Sequence, residues 1–252
     1  MKFAVDRWWA WSTVGVREES WRRSATLASM EPSPPEPDVA FVPKMQRRRM
    51  SALTRMAMHA AWNATGGRVD PTLSLVFASR HGEVRSSLAM LRDIVQGADL
   101  SPTTFSHSVH NAPAGQLSIH FGCRGPSSSV SAGRATFACG IIDAVGQSYR
   151  LGGAPVLLVV ADEVLPAEYS GFADEPQRAY ATATILRAVS PRQAGIALEA
   201  GGAHRVYSLP TALAFLEWLQ GSTDEFSLPW SSTRDVKLVR PIAGYDSLDP
   251  IT

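Results

Sequence analysis

The chain is short of cysteine: Cys123 and Cys139 are the only two. That excludes a disulfide framework, and no CxxC or His/Cys spacing of a metal site is present. No metal and no cofactor are therefore expected. Neither sign of charge is in excess. Lysine and arginine total 24 against 23 acidic residues, for a net charge of +1, so no overall field would attract nucleic acid or an anionic membrane. No apolar run reaches transmembrane length, and the most apolar, Ala154–Ala161, suits a buried strand. Lys2, Asp6 and Arg7 break up the first seven residues, which leaves no apolar region of a signal peptide. A soluble cytoplasmic protein without membrane insertion is the expectation. The G-x-S-x-G elbow of serine hydrolases is also missing.

What is present is enough for a sizeable core. The 252 residues are 45% hydrophobic and 19% charged, ordinary values for a globular chain. Phe3–Val5 reads as a short strand, followed by the cluster Trp8, Trp9 and Trp11, which suits a core edge or an interface. Glu18–Leu27 reads as a helix with Trp21 on its apolar side. Met30–Pro43, with five prolines, reads as an extended surface loop. Gln46–Ala64 carries Met50, Leu53, Met56, Ala57, Ala60 and Ala61 at helical spacing. Arg47-Arg48-Arg49, with Arg55 behind, is read as a solvated or partner-facing side of that helix rather than a nucleic-acid patch.

Leu73–Ala78 has the unbroken apolar character of a strand buried on both faces. Ser79-Arg80-His81-Gly82-Glu83 follows as a strand-end loop, the place where α/β folds put their sites. His81 and Glu83 there form either a local hydrogen-bonded pair or a working one. Val84–Val95 reads as a helix, Ala135–Leu151 as a small-residue helix buried nearly all round, and Pro155–Ala161 as another interior strand. Ala181–Ala188 and Ala194–Glu199 suggest an antiparallel pair at the sheet edge. Thr211–Gln220 reads as a last amphipathic helix, and the Ser/Asp/Pro-rich stretch from Gly221 as a loosely structured tail. Strands alternating with helices indicate an α/β fold with a mostly parallel mixed sheet.

The chemistry-bearing residues concentrate in Phe105–Cys139. Leu117-Ser118-Ile119-His120-Phe121 alternates like a strand, Gly125-Pro126-Ser127 makes a turn, and a helix starts near Arg134. A short strand, a tight turn and a buried helix is how such folds expose one residue at a helix N-terminus. On residues alone, Ser131 or Ser108 could serve as nucleophile of an independent acyltransferase or hydrolase, with His107, His110 or His81 as base.

The run HNAPAGQLSIHFGCRGPSSSVS (residues 110–131) resembles the ketosynthase segment N-x-x-A-G…G-x-x-G-P-S-x-S-V. In active ketosynthases that segment continues into T-A-C-x-S-G with the nucleophilic cysteine. Lys44–Met58, the loop from Ala78 to Glu83, and Ser101 to Asn111 are similar to the short ketosynthase-like proteins of aryl polyene and xanthomonadin pigment clusters, often labelled chain length factors. Ala179–Leu186 sits where ketosynthases have a G-x-G-A-x-x-L-V-L-E strand. The resemblance spans about residues 5–200 and implies the N-terminal half of a thiolase-like fold in residues 1–200. Residues 201–252 would be a short C-terminal extension of one helix and an irregular tail.

The resemblance also implies what is missing. The cysteine position is Arg134, and a guanidinium stays protonated and cannot attack a thioester. A cation at a helix N-terminus also opposes the helix dipole, so Arg134 should find an acidic or phosphate partner or lean away. Cys139 lies about 140° further round the helix and cannot substitute. The ketosynthase histidine pair comes from a second repeat, and only His204 lies beyond His120 here. The implied function is a non-catalytic, chain length factor-type subunit. It would pair with an active beta-ketoacyl synthase as a heterodimer, shape that partner's acyl tunnel, and meet acyl carrier protein through the complex. Phe105, His107, Val109, His110, Asn111 and Ala112 would line the interface or tunnel. Arg134, Ala135 and Phe137 would fill the vestigial site. Asn111 reads equally as a turn residue, and Gly115, Gly125 and Pro126 as plain backbone geometry. Half a thiolase-like fold would expose an apolar face unless Tyr207–Pro241 covers it.

Overall fold

The computed structural model describes residues 1–13, 15–19, 36–202, 205–231 and 234–241. One nine-stranded sheet runs through it, in the order β4-β3-β5-β6-β1-β7-β9-β8, with β2 paired to β1. The strands are β1 (Lys2–Ser12), β2 (Gly15–Glu19), β3 (Ser74–Ala78), β4 (Ser127–Val130), β5 (Val156–Asp162), β6 (Tyr180–Ala188), β7 (Ile196–Ala200), β8 (Glu225–Pro229) and β9 (Asp235–Val239). The helices are α1 (Lys44–Arg47), α2 (Ala52–Ala64), α3 (Val84–Val95), α4 (Pro102–His107), α5 (Ala112–Phe121), α6 (Thr136–Arg150) and α7 (Thr211–Gln220). The mixed α/β class is as expected, but the parallel pairing is confined to β4-β3-β5. Every other pairing is antiparallel.

Both faces of the sheet are buried, and the period of two along each strand divides the core in two. On one face Trp8, Val76, Leu158 and Val160 pack with α6 and α7. On the other, Trp9, Trp11, Leu75, Phe77 and Val159 pack with α2 and α5. Hence VLLVVAD in β5 is buried at every position. The three tryptophans belong to β1, a strand of eleven residues rather than the three expected, whose register with β6 shifts between Val5 and Arg7.

Several local expectations give way to other forces. The helix expected from Gln46 breaks after α1, because the Ser51 hydroxyl caps α2 by accepting from the Thr54 N–H at 3.0 Å. Leu117–Phe121 is not a strand but the end of α5. Pro113 suits its first turn, Gly122 ends it with φ of 66°, and Pro113, Ala114 and Leu117 form its buried side. Those five residues fit either period, and the flanking proline and glycine decide. Glu18 and Glu19 end β2 rather than begin a helix; Trp21, the rest of that helix and residues 30–35 of the proline-rich loop lie outside the described residues. β6 and β7 do not pair with each other, since β1 lies between them. The stretch after Gly221 is not irregular throughout: β8 and β9 form an antiparallel pair, and β9 joins β7.

The segment from α7 to β9 covers one side of α6. Phe215 of α7 packs on Phe137 of α6 with ring centroids 5.2 Å apart, and Phe226 and Trp218 complete the cluster. The Arg240 guanidinium closes it, 4.7 Å from the Trp218 ring centre. No helix among the described residues is long and apolar enough to cross a membrane. Phe215 is 2% exposed, so Phe215→Ala is expected to cost about 3–5 kcal/mol. Phe105→Ala, at an exposed ring, should fall within about 0.5 kcal/mol of wild type. Urea denaturation of the two variants measures the contrast.

Candidate functional site

The site forms at the carboxyl ends of β3 and β5, beside the N-terminus of α6. A 3₁₀ turn, Gly133–Ala135, leads into α6. It is pinned by Thr136, whose hydroxyl donates to the Gly133 carbonyl at 2.7 Å and accepts from the Ala132 N–H at 3.0 Å. Arg134 therefore occupies the turn before the helix. It lines a cavity of about 60 Å³ together with Arg80, Asp174 and Glu175, so carboxylates share its surroundings. Ala135 and Phe137 are buried under the C-terminal segment. Cys139 is half-buried, and burial raises its thiol pKa.

Beneath this turn lies a polar cluster. Asp162, the last residue of β5, is buried, and its Oδ1 accepts from the Ser79 hydroxyl at 2.8 Å, the Arg80 N–H at 2.8 Å and the His81 N–H at 3.2 Å. The Tyr180 hydroxyl lies 3.3 Å from Oδ2. Burial pushes the Asp162 pKa up to about 7, opposed by the Ser79 bond and reinforced by the nearby Glu175 charge. One carboxyl thus fixes the whole β3–α3 loop. Arg80, also buried, pairs with Asp174 and, at 3.2 Å, with Glu175. Glu175 in turn accepts from the N–H and hydroxyl of Thr211, both at 3.3 Å, at the start of α7, where a negative charge suits the helix dipole. Asp162, Arg80 and Glu175 were not singled out from the sequence. The available signal was Asp162-Glu163 directly after an unbroken apolar strand.

Glu83 does not pair with His81. It turns to the start of α2, accepting from Ser51 at 2.5 Å and Thr54 at 3.3 Å, and from Ser86 at 3.0 Å. Burial, then the Arg80 charge, lowers the His81 pKa, and the Asp174 charge opposes the shift. The candidate nucleophiles are not aligned with a base. Ser131 donates to the Arg80 carbonyl at 3.1 Å and Ser108 to the Phe105 carbonyl at 2.8 Å. His107 and His110 are themselves engaged, with the Arg49 and Ser79 carbonyls, both at 3.0 Å. Among the described residues no hydrogen bond joins Ser108 or Ser131 to a histidine, and no group of three His, Cys, Asp or Glu side chains could hold a metal. His204 lies outside the described residues.

The other residues singled out lie on the outer surface. Helix α3 has no buried residue, although Leu91, Ile94 and Val95 are 49%, 56% and 86% exposed. Phe105 on α4, Val109 beyond it and Ile119 on α5 are also exposed. Asn111 is exposed and caps α5 without a side-chain bond, and Ala112 is half-buried. Among the described residues, strand β4 ends the sheet and pairs only with β3. Nearby, Lys44, Arg48 and Arg49 are exposed. The Arg47 and Arg49 carbonyls of that turn accept from Arg55, at 2.6 Å, and from His107.

Residues 18–234 match the family of the beta-ketoacyl synthase N-terminal domain. Among solved structures, one similar chain comes from the ketosynthase ApeO in complex with its chain length factor ApeC from Xenorhabdus doucetiae. It is 26% identical with a TM-score of 0.77, over 95% of this chain and 100% of that one. A chain of the ishigamide ketosynthase/chain length factor is 15% identical, with a TM-score of 0.56 over 80% of this chain and 68% of that one. A beta-ketoacyl synthase from Burkholderia phymatum is also 15% identical, with a TM-score of 0.59 over 81% and 65%. No curated protein resembles the chain closely enough to count as a match.

The pH behaviour of Asp162 gives a test of the site. Its pKa in the folded chain lies above its ordinary value of 3.8, so the fold binds the proton more tightly than the unfolded chain does. Its contribution to stability is full below about pH 4 and lost as pH rises through about 7. Relative to wild type, Asp162→Asn should therefore be more favourable at pH 8 than at pH 5, measured by urea midpoints across that range. The fold is the N-terminal half of a thiolase-like fold, and the chain belongs to the beta-ketoacyl synthase N-terminal domain family.

Proposed function

We propose that this chain is a non-catalytic, chain length factor-type subunit that pairs with an active beta-ketoacyl synthase and shapes its acyl tunnel. The observation that carries the reading is α3, a helix with no buried residue and with Leu91, Ile94 and Val95 exposed. Exposed apolar residues on α3 (Leu91, Ile94 and Val95), on α4 (Phe105) and just beyond it (Val109) are what a partner-dependent subunit presents. The similar chain in the ApeO–ApeC complex is fully covered by this one, so a ketosynthase-like chain of this length is found in such a complex. Arg134 at the nucleophile position and the engaged Ser131 and Ser108 hydroxyls supply no attacking group of their own.

In the pair, Phe105, His107, Val109, His110, Asn111 and Ala112 would line the interface or the tunnel end, and the product would be a polyene or polyketide-type acyl chain of the kind made in pigment biosynthesis. Acyl carrier protein would reach the complex in the cytoplasm. The turn carrying Lys44, Arg48 and Arg49 offers it exposed cations, which suit an acidic partner and should make docking salt-sensitive.

Co-expression with a ketosynthase from the same gene neighbourhood tests the pairing. A one-to-one complex is expected on size exclusion, and Val95→Lys or Phe105→Glu should weaken it by about tenfold or more, roughly 1.4 kcal/mol. Both variants should keep the thermal midpoint of the isolated chain. Separate elution, with acyl-thioester turnover by this chain alone that Ser131→Ala abolishes, would replace the subunit reading with an independent acyl-transfer enzyme.

A further inference from the structure

The end of the sheet opposite the site, at the amino ends of β3, β4 and β5, carries a cluster of cations that the net charge of +1 conceals. Ser148 of α6 ties this rim together. Its hydroxyl donates to the Ala154 carbonyl before β5 at 2.6 Å and accepts from the Ala188 N–H at the end of β6 at 2.8 Å. Lys2 joins it, because its carbonyl accepts from the Val189 N–H at 3.2 Å and its ammonium donates to the Pro191 carbonyl at 3.1 Å. On the other side the Arg124 N–H donates to the Pro71 carbonyl at 2.7 Å, which joins the approaches to β3 and β4. The stretches so assembled, residues 1–7, 68–74, 122–127, 148–156 and 187–195, hold seven basic residues and only two acidic ones, Asp6 and Asp70.

Those two carboxylates are already engaged. Asp6 pairs with Arg187 at 2.9 Å, and Asp70 accepts from the N–H and hydroxyl of Thr72 at 2.8 and 2.7 Å. Arg124, Arg150 and Arg192 stay exposed, with Lys2 half-buried beside them. At the other end of the strands, by contrast, Arg80 and Arg85 are held by Asp174, Glu175 and Glu163. Apolar groups accompany the free cations. Tyr149 in the last turn of α6 is 78% exposed and Leu151 just after it is 40% exposed, and Gly152, with φ of 69°, then turns the chain back toward β5. Arginines alone would suit any polyanion. An exposed ring with a polar tip and an aliphatic side chain on either side of Arg150 gain by leaving water only where the anionic surface is also a lipid one.

We propose that this rim is an adsorption surface for an anionic bilayer, with Lys2, Arg124, Arg150 and Arg192 against the headgroups and Tyr149 and Leu151 among them. Each cation near such a bilayer strengthens binding about fivefold, so adsorption is reversible and screened by salt. It needs no partner subunit, so failure of the pairing and failure of this proposal are read separately. The test is co-sedimentation of the full chain with vesicles of phosphatidylcholine, with and without about one-third phosphatidylglycerol. The chain should sediment with the anionic vesicles only, and about tenfold less tightly at 0.5 M than at 0.05 M salt, both approximate concentrations. A variant carrying both Arg150→Gln and Arg192→Gln should bind about twentyfold more weakly, and Tyr149→Ser severalfold more weakly, each with the thermal midpoint of wild type. Arg48→Gln, on the turn after α1, should bind as wild type does. Equal sedimentation with neutral vesicles would overturn the proposal, as would full binding by the double variant or an equal loss in Arg48→Gln. Retention on heparin without vesicle binding would also overturn it, and would make the rim a site for an acidic macromolecule instead.

Discussion

A sheet whose central strands are apolar at every position must be covered on both faces, and that requirement organises the whole chain. β3 and β5 have no side that tolerates water, so two helical layers have to be supplied from one sequence. The α2–α5 layer comes from the first half and the α6 helix from the centre. The last stretch supplies α7, β8 and β9, whose Phe215, Trp218 and Phe226 cover α6 where it would otherwise be open. The Burkholderia phymatum beta-ketoacyl synthase is longer, and this chain spans 65% of it. Here about thirty residues, from α7 to β9, supply the cover.

The covering layer and the polar cluster depend on each other. Glu175 holds Arg80 on one side and the first residue of α7 on the other, while Arg80 begins the loop that Asp162 anchors. At the turn before α6 this chain has a cation, Arg134, sharing a cavity with Asp174 and Glu175, near the hydrogen-bond network of Asp162. That network holds the loop after β3 in place.

The features legible in the sequence were those with local causes. Unbroken apolar runs marked β3 and β5, helical spacing marked α3, α6 and α7, and the ketosynthase-like motif marked the family. What stayed hidden was set by contacts between distant residues. Nothing near Phe3 says that β1 continues to Ser12 with β6 along its length, and nothing in Ile196–Ala200 says that β9 will join it. The five residues ending α5 fit two periods equally, and Ser51 acts as a break only because its hydroxyl finds Thr54 and Glu83. The candidate site was half legible. The loop after β3 was visible, but the buried carboxylate that holds it looked like the ordinary polar end of a strand.

Strand β1 pairs with β6 and β7 at sequence separations near 180 residues, and the amino group of Met1 donates to the Leu198 carbonyl at 3.3 Å. During synthesis β1 is made well before β6 and β7, the strands it pairs with. Trp9 and Trp11 can meet α2 early, but the β6 side of the strand must wait for residues made much later. Such long-range closure slows folding and exposes an aromatic edge to wrong partners in the interval. Strand β1 is thus a part of this protein for which a chaperone on the nascent chain would matter.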